Sequence, residues 1–346
     1  MKIVILLLVL SLIFPISVNA TEFTAPSAPD RAEQLMPDES KSFGQDLFYI
    51  IKQALLSLQP SLTEALKTCV SLMAVIILIS VINSFEGHAK RTVELAGIIF
   101  ISVLLIRSSK SLIQLGARTV EEISEYGRLF LPVITAALAA EGGVTTSTAL
   151  YTGTIVFDTI MISLISKLIV PLVYVFFALS IASRAIGEDT MKKVKDFTKW
   201  VITWAMKLTL YIFTGYISIT GVISGTADAT AVKAAKLAIS GSVPVVGSVV
   251  SDASETILVS AGIMKNAVGV YGVAAIIALW IGPFLKLGIQ YLILKITAAV
   301  CNAFGTKETV GLISDFSEST GFLVGMTGTV CLMLLISTVC FMKGIS

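Results

Sequence analysis

Long apolar runs alternate with short polar stretches along this chain, and the length of the runs sets its class. A helix needs about 20 apolar residues to cross a bilayer. Seven runs approach that length, at about 67–85, 92–106, 159–181, 200–224, 267–285, 287–304 and 320–342. The second is short for a span and is expected to tilt or to extend at its ends. Residues 129–158 carry two shorter apolar arms joined at Glu141-Gly142-Gly143. Such arms suit a re-entrant hairpin or a broken helix pair, which membranes tolerate only where the backbone is buried in protein or faces water. The stretch "GSVPVVGSVVSDASE" (241–255) has the same mixed character, too polar for comfortable contact with lipid and too apolar for a surface loop.

A helical period appears outside the spans. From Phe43, residues Leu47, Ile50, Ile51, Ala54 and Leu58 fall on one face, with polar residues elsewhere and Pro60 as the expected stop. In 107–128, Ile113, Val120 and Ile123 recur near helical spacing among charges of both signs. Both segments read as amphipathic helices seeking lipid or a partner, so Ile50, Leu58, Ile113, Val120 and Ile123 are candidate partner-binding residues.

The N-terminus has a targeting pattern: Lys2, an apolar run from Ile3 to Phe14, then "PISVNA" ending at Ala20. Cleavage there, or an uncleaved first membrane helix, places the following segment outside the cytoplasm. The expected organisation is all-α and polytopic. It comprises a signal peptide (1–20), a flexible exported leader (21–42), an exported amphipathic helix (43–66) and a membrane domain (67–346) of about seven transmembrane helices with re-entrant or broken segments. With the tail outside, "EGHAKR" is inside, and so is 182–199 with Arg184, Lys192, Lys193, Lys195 and Lys199, as the positive-inside bias requires. The same count puts 305–319 outside and the C-terminus inside. Segment 107–128 fits an outside position poorly, since it carries Arg107, Lys110, Arg118 and Arg128.

A shift of 112 residues lays Pro132 on Pro244 and Pro171 on Pro283, with a similar order of apolar and polar segments. This marks a candidate parallel repeat, about 92–187 and 204–305. Interrupted segments at corresponding positions of two halves point to a transport pathway. Its candidate residues are Pro132, Gly142, Gly143, Pro171, Pro244, Gly247 and Pro283. Asp158, Lys167 and Lys295 are candidate intramembrane charges, whereas Lys207 and Lys286 lie near expected span ends and can snorkel. Gly221/Gly225 and Gly321/Gly325 have the spacing of close helix contacts.

Composition agrees with a membrane protein. Hydrophobic residues make up 55% of the chain and charged residues 14%, too few to coat soluble domains. The net charge of +2 gives no reason to expect nucleic acid. The four cysteines lie in apolar stretches without a CxxC pair, and the single histidine is His88, so neither a disulfide framework nor a zinc site is implied. No Walker loop, GxSxG or HExxH motif occurs. The expectation is therefore a non-enzyme without a cofactor, driven by an ion gradient or by another subunit if it moves anything actively.

Three stretches, "SEYGRLFLPVITAALAAEGGVTTSTALY", "SGSVPVVGSVVSDASETILVSAGIMKNAVGVYG" and "FGTKETVGLISDFSESTGFLVGM", resemble the stage III sporulation protein AE family of endospore-forming bacteria. The resemblance runs over about 43–343. It implies a multi-pass protein of the mother-cell membrane surrounding the forespore. It also implies membership of a channel complex with ring-forming membrane proteins and a separate ATPase, needed for late forespore gene expression. It brings no catalytic or ligand residues and no conducted substrate. Two other classes stay open: a self-sufficient secondary transporter of a small solute, and a purely structural membrane scaffold. The spans hold few of the ionisable residues that ion-coupled transport uses, which favours the channel subunit.

Overall fold

The structure is a computed structural model that describes residues 25–37, 42–84, 90–187, 189–242 and 247–343. The signal peptide at 1–20, part of the leader, the inside loop around His88, and Pro244 lie outside the described residues. Every element is helical among those described.

Local chemistry explains the element ends. A short α1 (Asp30–Glu33) precedes α2 (Phe43–Leu56), which starts at Ser42, whose Oγ accepts from the Gln45 amide at 3.4 Å. Asp46 sits in its first turn, where the helix dipole favours an acid. After a break at Ser57 comes α3 (Gln59–Ser84). Then α4 runs unbroken from Lys90 to Ala140, 51 residues. Its polar stretch does not end it, because Arg118, Glu121, Glu125 and Arg128 face outward while Ile113, Val120, Ile123, Tyr126 and Phe130 face inward. The turn at Gly142, with φ at 103°, reverses the chain into α5 (Val144–Leu164).

A five-residue π-helical turn, Ile165–Ile169, leads straight into α6 (Val170–Ile186) with Pro171 in its first turn. A wider turn eases the clash that a proline ring makes with the carbonyl four residues before it. Gly187, at φ 80°, caps α6 and gives its amide to the Ser183 carbonyl at 3.0 Å. The remaining elements are α7 (Asp189–Ser242), α8 (Gly247–Cys301) and α9 (Lys307–Lys343).

The links between helices are short, so neighbours run antiparallel. One end of the bundle gathers the start of α4, the α6–α7 link and the α8–α9 link. Arg91 donates to the Ala185 carbonyl at 2.8 Å there, and Arg184 meets Glu308 at 3.4 Å. We call it the basic end. The other end gathers Gly142–Gly143, the start of α8 and the C-terminus, and we call it the glycine end. The α8–α9 hairpin is the centre: 61% of the most apolar window in each is buried, against 22% for α3 and 33% for α4, which face outward. Within a bilayer, such contacts rest on close packing rather than on escape from water. Glycines supply the closeness: a Cβ on Gly272 would overlap the Phe130 ring, and one on Gly127 would press on Leu334.

Among the described residues, five helical stretches are long and apolar enough to cross a membrane: Gln59–Ser84, Arg91–Ala140, Val144–Ile186, Gly262–Cys301 and Lys307–Lys343. The expected count of seven is not reached. The expected spans 267–285 and 287–304 are one helix, α8, because Pro283 is buried within it and does not break it. The expected span 200–224 lies in α7 and is not among the five; the side chains of its last residues, from 221, lie outside those described. The re-entrant arms of 129–158 are instead the ends of α4 and α5 around a tight turn.

The topology changes with the count. Lys195 Nζ lies 2.7 Å from Asp315, so 305–319 shares an end with 182–199 rather than facing the opposite side. The C-terminus belongs to the glycine end, where a Cβ on Gly269 would overlap Met342. The helices are also very long. At roughly 1.5 Å per residue, the 51 to 55 residues of α4, α7 and α8 reach about 75–80 Å, more than twice the ~30 Å hydrocarbon layer.

Candidate functional site

One face of α5 carries buried polar side chains that several helices meet. Thr146, Ser147, Thr154 and Asp158 point inward and are buried. Each surrounding helix answers one of them. Asp228 of α7 accepts the Thr145 amide at 3.1 Å and the Thr146 amide at 2.7 Å. Ser337 of α9 shares a hydrogen bond with Thr154. Ser124 of α4 donates to Asp158 at 2.9 Å. An inward polar face on a helix this apolar is costly unless satisfied. The neighbours bond Thr154, Asp158 and the first amides, Ser147 bonds the Val144 carbonyl at 3.0 Å, and the Thr146 hydroxyl has no partner among the described residues.

The Asp228 contact replaces a missing cap. Gly143 stands at the N-cap of α5 and has no side chain to receive the first amides. Asp228 does so from another helix, with its charge set against the positive end of the α5 dipole. Burial pushes its carboxyl up, but the hydrogen bonds from Thr146 and Thr145 outweigh that and hold it below the usual carboxylate range.

Beside this cap, Lys265 of α8 is buried and pairs with Glu141 of the turn. Gly262 makes room for the carboxylate: a Cβ there would lie 2.9 Å from Glu141 Oε1. Deeper along α4, the Tyr126 hydroxyl is buried and has no hydrogen-bond partner among the described residues.

The expected pathway residues divide. Gly142 and Gly143 form the turn that carries Glu141, and Gly247 opens α8 at the same end of the bundle. Pro132 and Pro171 are exposed on the outside of α4 and α6, and Pro283 is buried in α8. Asp158 belongs to the polar face of α5. Lys167 and Lys295 do not: both project from the outer surface, Lys295 leaning on Tyr291 with Nζ 3.1 Å from its hydroxyl.

The expected partner-binding residues are covered from within. Ile50 and Leu58 are buried in the chain's own core, α2 packing against α8. Ile113, Val120 and Ile123 face α8 and α9, whose Leu287, Leu323 and Met326 crowd Gly116 on the same helix. What α2 shows outward is Phe48, 70% exposed, with Leu55 and Leu56. The leader is docked where it is described: Ala28 and Ala32 are buried, and Arg31 meets Glu122 of α4 at 3.0 Å.

Sequence reasoning missed Glu141, Lys265, Asp228 and Ser124. The available signal was a glycine where α5 needed a capping side chain, with an acid left over in the Ala/Thr-rich part of α7.

A bundle of apolar helices wrapped round a buried hairpin, with a polar face turned inward, defines a multi-pass α-helical membrane protein. The chain belongs to the stage III sporulation protein AE family, whose sequence model matches residues 33–344. It is 23% identical over 256 residues to stage III sporulation protein AE of Bacillus subtilis (strain 168), an alignment covering 74% of this chain and 64% of that protein. The aligned region thus spans just under two thirds of the relative's length. No solved structure matches the chain.

Proposed function

We propose that this protein serves endospore formation as a permease-like membrane subunit of a multiprotein channel between mother cell and forespore. On this reading it needs ring-forming membrane proteins and a separate ATPase, acts without enzymatic chemistry of its own, and sustains late forespore gene expression. It resides in the mother-cell membrane with the basic end in the cytoplasm, where the positive-inside bias puts Arg184, Lys192, Lys193, Lys195 and Lys199. The glycine end, with the N-terminal tail, then faces the space between the two membranes. The observation that carries this reading is the inward polar face of α5, together with the family match over 33–344. Buried hydroxyls and a carboxylate in a membrane helix are what a polar conduit requires, and the Tyr126 hydroxyl, without a partner among the described residues, has bonding capacity to spare. Helices far longer than the bilayer add surface beyond it for assembly, even when tilted.

The test is replacement of the native copy by a tagged one in sporulating cells. The tagged chain, solubilised after engulfment, is expected to bring down the ring proteins and the ATPase, and Thr154→Leu/Asp158→Leu is expected to reduce late forespore expression while that recovery persists. Normal late expression in a strain lacking the protein overturns the proposal. So does vectorial transport of a solute by the purified protein alone under an ion gradient.

A further inference from the structure

At the basic end, α6, α7 and α9 enclose a cavity of about 140 Å³ lined by Ser183, Arg184, Lys192, Lys195, Lys307 and Glu308. At roughly 30 Å³ per water, it has room for about four to five water molecules, a fit for one phosphate group. Among the described side chains its charge is unbalanced. Asp315 holds Arg184 Nε at 3.2 Å and Lys195 Nζ at 2.7 Å, and Glu308 holds Arg184 Nη1 at 3.4 Å, so two cations meet two carboxylates. Lys192 and Lys307 add two positive charges at the rim, with no carboxylate within salt-bridge distance among the described residues. Glu188 and the Asp189 side chain lie outside those described.

The wall is built rather than loose. Lys195 and Asp315 are buried, and the Arg184 guanidinium lies against Gly311, where a Cβ would overlap it. Gly187 turns the chain tightly from α6 into α7 at the cavity's edge. The first-turn amides of α7 and α9 lie close by and add to the positive field.

Beyond the cavity α7 exposes Lys193 and Asp196 and, beside them, an apolar series. Val194 is exposed, and from Phe197 three exposed aromatic rings climb the helix. Phe197 stacks on Trp200 with centroids 5.9 Å apart, and Trp200 on Trp204 at 5.7 Å. Exposed tryptophans of this kind mark the boundary between headgroups and acyl chains. A free phosphate would have no use for them.

We propose that this cavity binds the phosphate of an anionic phospholipid headgroup, with the acyl chains running along the Phe197–Trp200–Trp204 ladder. Basic pockets between membrane helices take such headgroups. The full-length protein, purified in detergent and stripped of lipid, is titrated with dioleoyl-phosphatidylglycerol, dioleoyl-phosphatidylcholine and inorganic phosphate. Bound lipid is read by native mass spectrometry and protection by thermal melting.

Phosphatidylglycerol is expected to bind and raise the melting temperature, phosphatidylcholine to do neither. Lys192→Gln and Lys307→Gln are each expected to weaken the binding on the order of fivefold. Because both side chains are exposed and outside the Asp315 network, the lipid-free variants should melt as the wild type does. Equal binding of the two lipids, or unchanged affinity in both variants, overturns the site. Protection by millimolar phosphate, with loss of the bound lipid, overturns the lipid in favour of a soluble anion.

Discussion

The two ends of the bundle solve the same problem in opposite ways. At the glycine end, the buried charges among the described side chains are matched: Lys265 has Glu141, and Asp228 has two of the first amides of α5. At the basic end, one buried carboxylate serves two cations, and two further lysines stand at the rim. Among the described side chains that arrangement has more cations than carboxylates. The difference teaches how to weigh charges in an apolar bundle. Matched pairs hold helices together, whereas a surplus of one sign around a cavity marks a place for something else.

The sharpest break of this comparison is at Asp315. Asp315→Ala leaves Arg184 and Lys195 without their shared carboxylate, the second of them only 5% exposed. Losing one side of a buried pair costs about 3–5 kcal/mol. The variant is expected to lose most of its folded yield in detergent, measured by fluorescence-detected size exclusion. A variant that melts as the wild type does removes Asp315 from the frame.

Next comes the turn. Glu141→Gln leaves Lys265 buried without a counter-charge, at a cost of about 3 kcal/mol. The double variant Glu141→Gln/Lys265→Met is expected to recover most of that loss in melting temperature. Simple additivity of the two single changes would mean that the pair is not coupled.

The smallest effect is at Asp228, and it carries a pH signature. Asp228→Asn keeps the shape but loses the charge on the α5 terminus, about 1 kcal/mol. The carboxyl is held below its usual range, so its contribution is complete above the unfolded value, roughly 3.9. It is lost as the pH falls through the lower folded value. The wild type should therefore melt above the variant by a constant margin between about pH 7 and pH 5, and the margin should shrink as the pH falls further and close only below the folded value. A margin that persists in acid assigns the effect to shape.

Much of the fold was legible in the sequence. Apolar runs gave an all-helical membrane class, and Ser42 and the Glu141-Gly142-Gly143 turn sit where helix-capping and turn chemistry put them. Continuity was not legible. Gly282-Pro283 followed by Lys286 reads as a hairpin, yet α8 passes through it because packing on both sides holds the helix. The polar stretch 107–128 reads as a separate surface helix, yet its charges are confined to the outer face of α4. Apolar faces identified their residues but not what covers them: Ile50 and Val120 are buried by this chain, not by a partner. Asp228 was out of reach altogether, because a cap supplied by another helix leaves no local signature.

The Glu141–Lys265 pair has a consequence in time. Its members are 124 residues apart in the chain. At a synthesis rate of about 5–20 residues per second, roughly 6–25 s pass between the appearance of the acid and the appearance of its base. Throughout that interval α4 and α5 exist as a hairpin whose tip carries an unmatched negative charge. The nascent chain must keep that tip in water or beside the insertion machinery until α8 arrives. The turn of the glycine end is thus made long before the base that matches it.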